Sequence, residues 1–211
     1  MSELQRLKGL LPPEMQSWVF VEAAAAVEPA LITLEEIGRD EVEIQVDLDA
    51  WDNLALDHRN LLFWHEVGRI QNDTIPRDGW EMAALAIGLG GAIGELWVQD
   101  GLLLLMALGL SGFAGYRLYL KNNAEKRLRD AISADERAID LACRFGYSVP
   151  NAYKSLGGAL KDLVEKTRKK KERSFYEDRL EALRKSAGKA RAEMAQQQGS
   201  RQSVTSENVY G

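Results

Sequence analysis

Two apolar runs separated by three residues constrain this chain more than any other feature. The first, Trp80 to Val98, reads WEMAALAIGLGGAIGELWV; the second, Leu102 to Leu120, reads LLLLMALGLSGFAGYRLYL. At a rise of about 1.5 Å per residue, each is about the length a helix needs to cross a hydrocarbon core. Gln99-Asp100-Gly101 is too short for anything but a reversal, so the runs are expected to form an antiparallel transmembrane hairpin over residues 80–120. Small residues spaced four apart, Ala86, Gly90 and Gly94 on one arm and Ala107, Ser111 and Gly115 on the other, permit close backbone approach in lipid. Trp80, Trp97, Tyr116 and Tyr119 stand near the ends, where interfacial aromatics belong. The connecting turn has no Lys or Arg, whereas Arg77 precedes the first run and Arg117, Lys121, Lys126, Arg127 and Arg129 close or follow the second. Both termini are therefore expected on the cytoplasmic (or stromal) side. Glu81 and Glu95 lie near helix ends, within reach of headgroup water.

The polar remainder is split by charge. Residues 1–79 carry 6 Lys/Arg against 16 Asp/Glu, and residues 121–193 carry 19 against 12, so the formal charge of −5 over 211 residues hides two opposed halves. Opposite net charge favours docking of one half on the other. Cys143 is the single cysteine, which excludes an internal disulfide and fits a reducing compartment. MSELQRLKGLLPPEMQ lacks the apolar core and cleavage site of a secretory signal, leaving the hairpin to direct insertion.

Periodicity places the remaining elements. SWVFVEA, PALITL and EVEIQVDLD read as short strands, with a turn at 38–40, in an acidic N-terminal element that occupies 1–79 together with one helix. That helix, LALDHRNLLFWHEVGRIQND, ends before Thr74-Ile75-Pro76. Over 121–165, AEKRLRDAISADERAIDLACRFGY forms a helix stopped at Gly146, and VPNAYKSLGGALKDLVEKT forms the next, opened by Pro150 and weakened at Gly157-Gly158. Residues 166–193 read as a basic amphipathic helix in which Lys169, Lys170, Lys171 and Arg173 can meet anionic headgroups. No aromatic platform or nucleic-acid reader motif accompanies that run, so nucleic acid is not expected as a partner. Residues 194–211 are Gln/Ser-rich and read as disordered.

Two short motifs carry chemistry. LLFWHEVGR holds His65 and Glu66, and DERAID, beyond the apolar runs, holds Glu136 and Asp140. With QNDT after the first and GYSVPNAYKSLGGAL after the second, residues 40–165 resemble the membrane-embedded zinc metallopeptidases of the CAAX-prenyl-protease and heat-shock-protease type. That resemblance implies His65 and Glu136 as metal ligands, Glu66 as general base and Asp140 as a supporting carboxylate. Arg69 departs from it, standing where the second histidine should be. A guanidinium has no lone pair to donate, so Arg69 is expected to pair with Glu136 or Glu66, its charge replacing that of zinc. His58 lies two turns before His65, about 10.5 Å along the helix, too far to share one ion. The whole chain also resembles an uncharacterised cyanobacterial membrane family, which implies a thylakoid or plasma membrane.

The sequence is thus expected to give an α+β, mainly helical protein, with a membrane hairpin inserted between two helices of a peptidase-like domain and a small N-terminal β element. The function that follows is non-catalytic: a pseudopeptidase acting as a scaffold, or as an assembly or quality-control factor for other membrane proteins, without a cofactor. A weakly or fully active zinc metallopeptidase and a structural protein contacting anionic lipid are the alternatives. The bilayer and other membrane proteins are the expected partners, and the small-residue stripes also allow self-association.

Overall fold

The computed structural model describes residues 2–25, 31–37, 41–74, 84, 86–88, 101–121 and 123–207. A six-residue helix, α1 (Glu3–Lys8), is opened by Ser2, whose side chain accepts from the Gln5 backbone in a reciprocal capping box. A 3-10 turn at Pro13–Met15 leads into β1 (Val19–Ala23), followed by β2 (Ile32–Glu36) and β3 (Val42–Val46). β3 lies in the middle, parallel to β1 with Val19 opposite Val42, and antiparallel to β2 with Ile32 opposite Val46. The alternation read in EVEIQVD is the reason. Val42, Ile44 and Val46 face the core, whereas Glu43 and Gln45 face outward, where the Gln45 amide donates to Glu35 and Glu43. The turn expected at 38–40 lies outside the described residues.

Helices form the rest. α2 (Leu48–Trp51), capped by the Asp47 carboxylate, turns the chain into α3 (Leu56–Gln71). α4 (Gly101–Lys121) holds the second apolar run, and α5 (Ala124–Arg144) opens on Asn123, whose side chain accepts from the backbone of Glu125 and Lys126. α5 stops at Gly146, which takes φ +94°, and α6 (Val149–Lys166) starts with Pro150 in its first turn. The last helix, α7 (Lys170–Glu207), runs for 38 residues, through the Gln/Ser-rich stretch whose composition points to disorder. α3, α5, α6 and α7 pack as a bundle, and the inner face of the sheet joins its core through Leu7, Leu11, Trp51 and Leu61.

The tightest contact in the bundle is between α3 and α5. α5 buries an alanine face, Ala131, Ala134, Ala138 and Ala142, repeating at helical spacing. Opposite it, Gly68 is so close that a Cβ would stand 2.9 Å from the Ala134 carbonyl oxygen and 2.9 Å from the Arg137 Cβ. Two of the ion pairs that cross between the halves run against the net charge of each half. In the His58–Asp162 and His65–Asp135 pairs, both of which cross between halves, the carboxylate comes from the basic half.

The membrane hairpin requires correction. Among the described residues no helix is long and apolar enough to cross a membrane. In α4 the apolar stretch from Leu102 to Gly115 is about 14 residues, about 21 Å of helix against a core of about 30 Å, before Tyr116-Arg117 interrupts it. Most of the first run, with Glu81, Glu95 and the Gln99-Asp100 turn, lies outside the described residues. Its described portion packs on α4, but in a different phase from the expected stripe. Ala84 and Gly88 are buried and Ala86 is exposed. A Cβ on Gly88 would collide with the Ser111 hydroxyl.

Gly68→Ala should force α3 and α5 apart and cost about 1–3 kcal/mol. Urea denaturation followed by circular dichroism measures it; an unchanged midpoint would show that the interface yields freely.

Candidate functional site

The α3–α5 contact encloses ionisable side chains. His65 and Glu66 occupy the buried face of α3, and Asp135 extends from the alanine face of α5. A third helix completes the group: α7 sends in Arg179, 4% exposed. Its Nε donates to Asp135 Oδ2 at 3.1 Å and its Nη2 to Oδ1 at 2.6 Å, a bidentate pair. His65 Nδ1 lies 2.8 Å from Asp135 Oδ1 and 3.1 Å from Arg179 Nη2. The shorter contact favours the tautomer in which Nδ1–H donates to the carboxylate. On the other side of the ring, His65 Nε2 is 4.0 Å from Glu66 Oε1, and Glu66 Oε2 accepts from Arg69 Nη1 at 2.8 Å. Two guanidinium groups thus balance two carboxylates around one imidazole.

The electrostatics follow from that balance. Burial disfavours the charged imidazole, and the Arg179 cation adds to the effect, so the His65 pKa is lowered and the ring is held neutral. Burial alone would push the Asp135 carboxyl up. Arg179 and His65 outweigh it and hold the carboxyl at about 2. For Arg179 the order is the same: burial lowers its pKa, and Asp135 more than restores it. Such a cluster is electrically closed, with its charges spent on each other rather than directed at a ligand.

The residues singled out by motif are thereby separated. His65, Glu66 and Arg69 do meet, with Arg69 pairing Glu66. Glu136 and Asp140 are exposed on α5 and point away from the cluster. Lys169, Lys170, Lys171 and Arg173 are exposed at the start of α7, with Arg173 pairing Glu177 at 3.1 Å. The donor set does not fit zinc. Among the described residues no three His, Cys, Asp or Glu side chains are grouped to hold a metal ion. The His65 nitrogen within hydrogen-bond reach of a carboxylate, Nδ1, faces both Asp135 and the Arg179 guanidinium.

Asp135 and Arg179 escaped the sequence reading, although both carried a signal. In DERAID the alanine face of Ala131, Ala134, Ala138 and Ala142 includes Asp135 and excludes its neighbour Glu136. Likewise Arg179 falls in phase with Tyr176 and Leu183, both buried, on a helix whose other basic residues from Lys170 to Arg191 are exposed.

A family model described as a protein of unknown function, DUF3318, matches residues 5–147. A thylakoid membrane protein of Synechocystis sp. (strain ATCC 27184 / PCC 6803 / Kazusa) is 70% identical over 192 residues, covering 91% of each chain. No solved structure matches. The chain belongs to the DUF3318 family. That membership overturns the resemblance to zinc metallopeptidases: the matched region holds both HEVGR and DERAID, which here are two packed helix faces closed by Arg179.

Arg179→Met should cost about 3–5 kcal/mol, because it strands the Asp135 carboxylate in the core. Adding Asp135→Leu should recover most of the loss, which thermal and urea unfolding of both variants would show. Acid should also destabilise the fold. Below about pH 6.5 the unfolded chain takes up a proton that the buried His65 ring refuses. Between about pH 4 and 2 the paired Asp135 is protonated, with a loss of about 2 kcal/mol. Urea midpoints from about pH 7 to 2 test this, and the Arg179→Met/Asp135→Leu variant should lack the lower step.

Proposed function

We propose that this chain is a non-catalytic scaffold at the thylakoid membrane, holding other membrane proteins during their assembly or quality control. The observation that carries the membrane part is the surface of α4. Leu105, Met106, Leu108, Phe113 and Tyr116 are each more than half exposed along one helix. Contiguous apolar surface of that kind has a large cost in water and is relieved by contact with lipid or protein. The thylakoid membrane protein of Synechocystis, at 70% identity, supports the same location. On this reading α4 enters the apolar layer without crossing it, and the polar body stands on the cytoplasmic (stromal) face.

The non-catalytic part rests on the cluster around His65. Enzymes place groups with perturbed acidity where substrate can reach them. Here His65, Glu66 and Asp135 are buried, and both carboxylates are already bound to guanidinium groups. A body stiffened in this way suits a platform, and its exposed α4 face offers a site for client helices or for a second copy of the chain.

One observation adds anionic lipid as a contact. Arg127, in the first turn of α5, grips Glu172, in the first turn of α7, through two hydrogen bonds of 3.1 and 2.7 Å. That pair holds Lys169, Lys170, Lys171 and Arg173 beside the end of α4, the level at which headgroups would meet the protein.

Flotation of the full chain with vesicles tests the attachment. Replacing Leu105, Met106 and Phe113 with Ser should leave the protein in the bottom fraction, while His65→Ala should float as wild type does. Exchanging Lys169, Lys170 and Lys171 for Gln should weaken flotation with phosphatidylglycerol vesicles more than with phosphatidylcholine. Hydrolysis of a membrane protein by the purified chain, abolished by Glu66→Gln, would overturn the scaffold reading.

A further inference from the structure

A second site lies away from the buried cluster, where α3, α6 and α7 part to leave a cleft of about 660 Å³. Its rim carries Lys154 and Lys161 from α6 and Arg184 from α7. Among the described residues none of the three has a hydrogen-bond or ion-pair partner, and Arg184 acts on Glu181 only through its field. The nearby carboxylates, by contrast, are engaged. Asp57, which also lines the cleft, accepts from the Tyr147 hydroxyl at 2.6 Å, and Asp162 binds His58 Nδ1 at 2.7 Å. Three cations against the single lining carboxylate of Asp57, which is already turned to Tyr147, leave the cleft with a positive potential.

Its floor is apolar and owes its shape to paired glycines in the middle of α6. Gly158 is needed for packing, since a Cβ there would run into the His58 ring. Gly157 is not: a Cβ would sit 3.7 Å from Leu183 and 3.8 Å from Leu180, in ordinary contact. Glycine within a helix costs about 1 kcal/mol relative to alanine. At Gly157 no steric demand of the fold offsets that cost. What the missing side chain does provide is open space above Leu180 and Leu183.

We propose that this cleft binds a small organic anion, a carboxylate or phosphate joined to an apolar body. Lys154, Lys161 and Arg184 would hold the charged group, and the Gly157–Leu180–Leu183 floor would take the apolar part. The volume falls within the range of small-ligand sites, about 300–1,000 Å³, and is too small for a folded partner. Arg184 lies about 20 Å along α7 from the basic run beside α4. The cleft therefore faces the soluble side rather than the headgroup layer, which favours a free anion over a lipid. The choice of a free anion rests on the proposed placement of α4 at the membrane; the cleft's affinity for an organic anion does not.

Equilibrium binding of 2-naphthyl phosphate to the full chain in phosphatidylcholine nanodiscs tests the site. Saturable binding is expected, with 2-naphthol failing to bind and inorganic phosphate competing weakly. Lys154→Gln/Lys161→Gln/Arg184→Gln should weaken binding at least tenfold without moving the melting temperature. The charge-retaining Lys154→Arg/Lys161→Arg variant should keep it. Absence of saturable binding, or equal binding by the triple Gln variant, would overturn the proposal. Repeating the titration in phosphatidylglycerol discs separates the sources. Unchanged occupancy identifies a free anion, whereas displacement confirms the cleft and assigns it to a lipid headgroup.

Discussion

The bidentate pair between Arg179 and Asp135 is the interaction on which the rest of the body depends. An isolated buried carboxylate is expensive, and so is an isolated buried guanidinium. Each is tolerable here only because the other is 2.6 Å away and because α3, α5 and α7 keep it there. His65 gains its position from the same pair, as does the neutral state of its ring. The close approach at Gly68 serves this arrangement, since it brings α3 near enough for His65 to reach across.

Much of the architecture could be read from the residues. β-branched alternation located all three strands, and helical periodicity located α5 and α6, with Gly146 marking the end of the first and Pro150 the start of the second. Two kinds of misreading remain instructive. HEVGR and DERAID resemble motifs by letters in order, whereas the fold uses them by phase. Counting alanines around the α5 helix brings Asp135 to the interface and leaves Glu136 and Asp140 in water. Arg179 was hidden for a different reason. On a helix of mixed basic residues, only its spacing from Tyr176 and Leu183 distinguishes it, and no local rule says which helix those residues will face. The apolar runs erred in the other direction. Their hydropathy is genuine, but apolar length is counted to the first charge, and Arg117 shortens the second run below a span.

The molecule is polar along its length. At one end α4 exposes leucine, methionine and aromatic side chains, and the basic start of α7 is fastened beside it by Arg127 and Glu172. About 20 Å further along α7 stands Arg184, on the rim of the cleft with its three unengaged cations. The helices between them are joined through the buried pair, so neither surface can shift far without disturbing the core charges. A body built this way can present an apolar surface and a basic cleft at a fixed separation.

The position of Arg179 in the chain has a further consequence for timing. His65 and Asp135 both precede it by more than forty residues, and a ribosome releases them first. Until α7 emerges, the α3–α5 interface would bury Asp135 with only the His65 imidazole to balance it, and leaving the carboxylate in water is cheaper. The nascent chain is therefore kept from closing its core early. Completion of the fold is tied to synthesis of the last helix, which acts as the latch for everything translated before it.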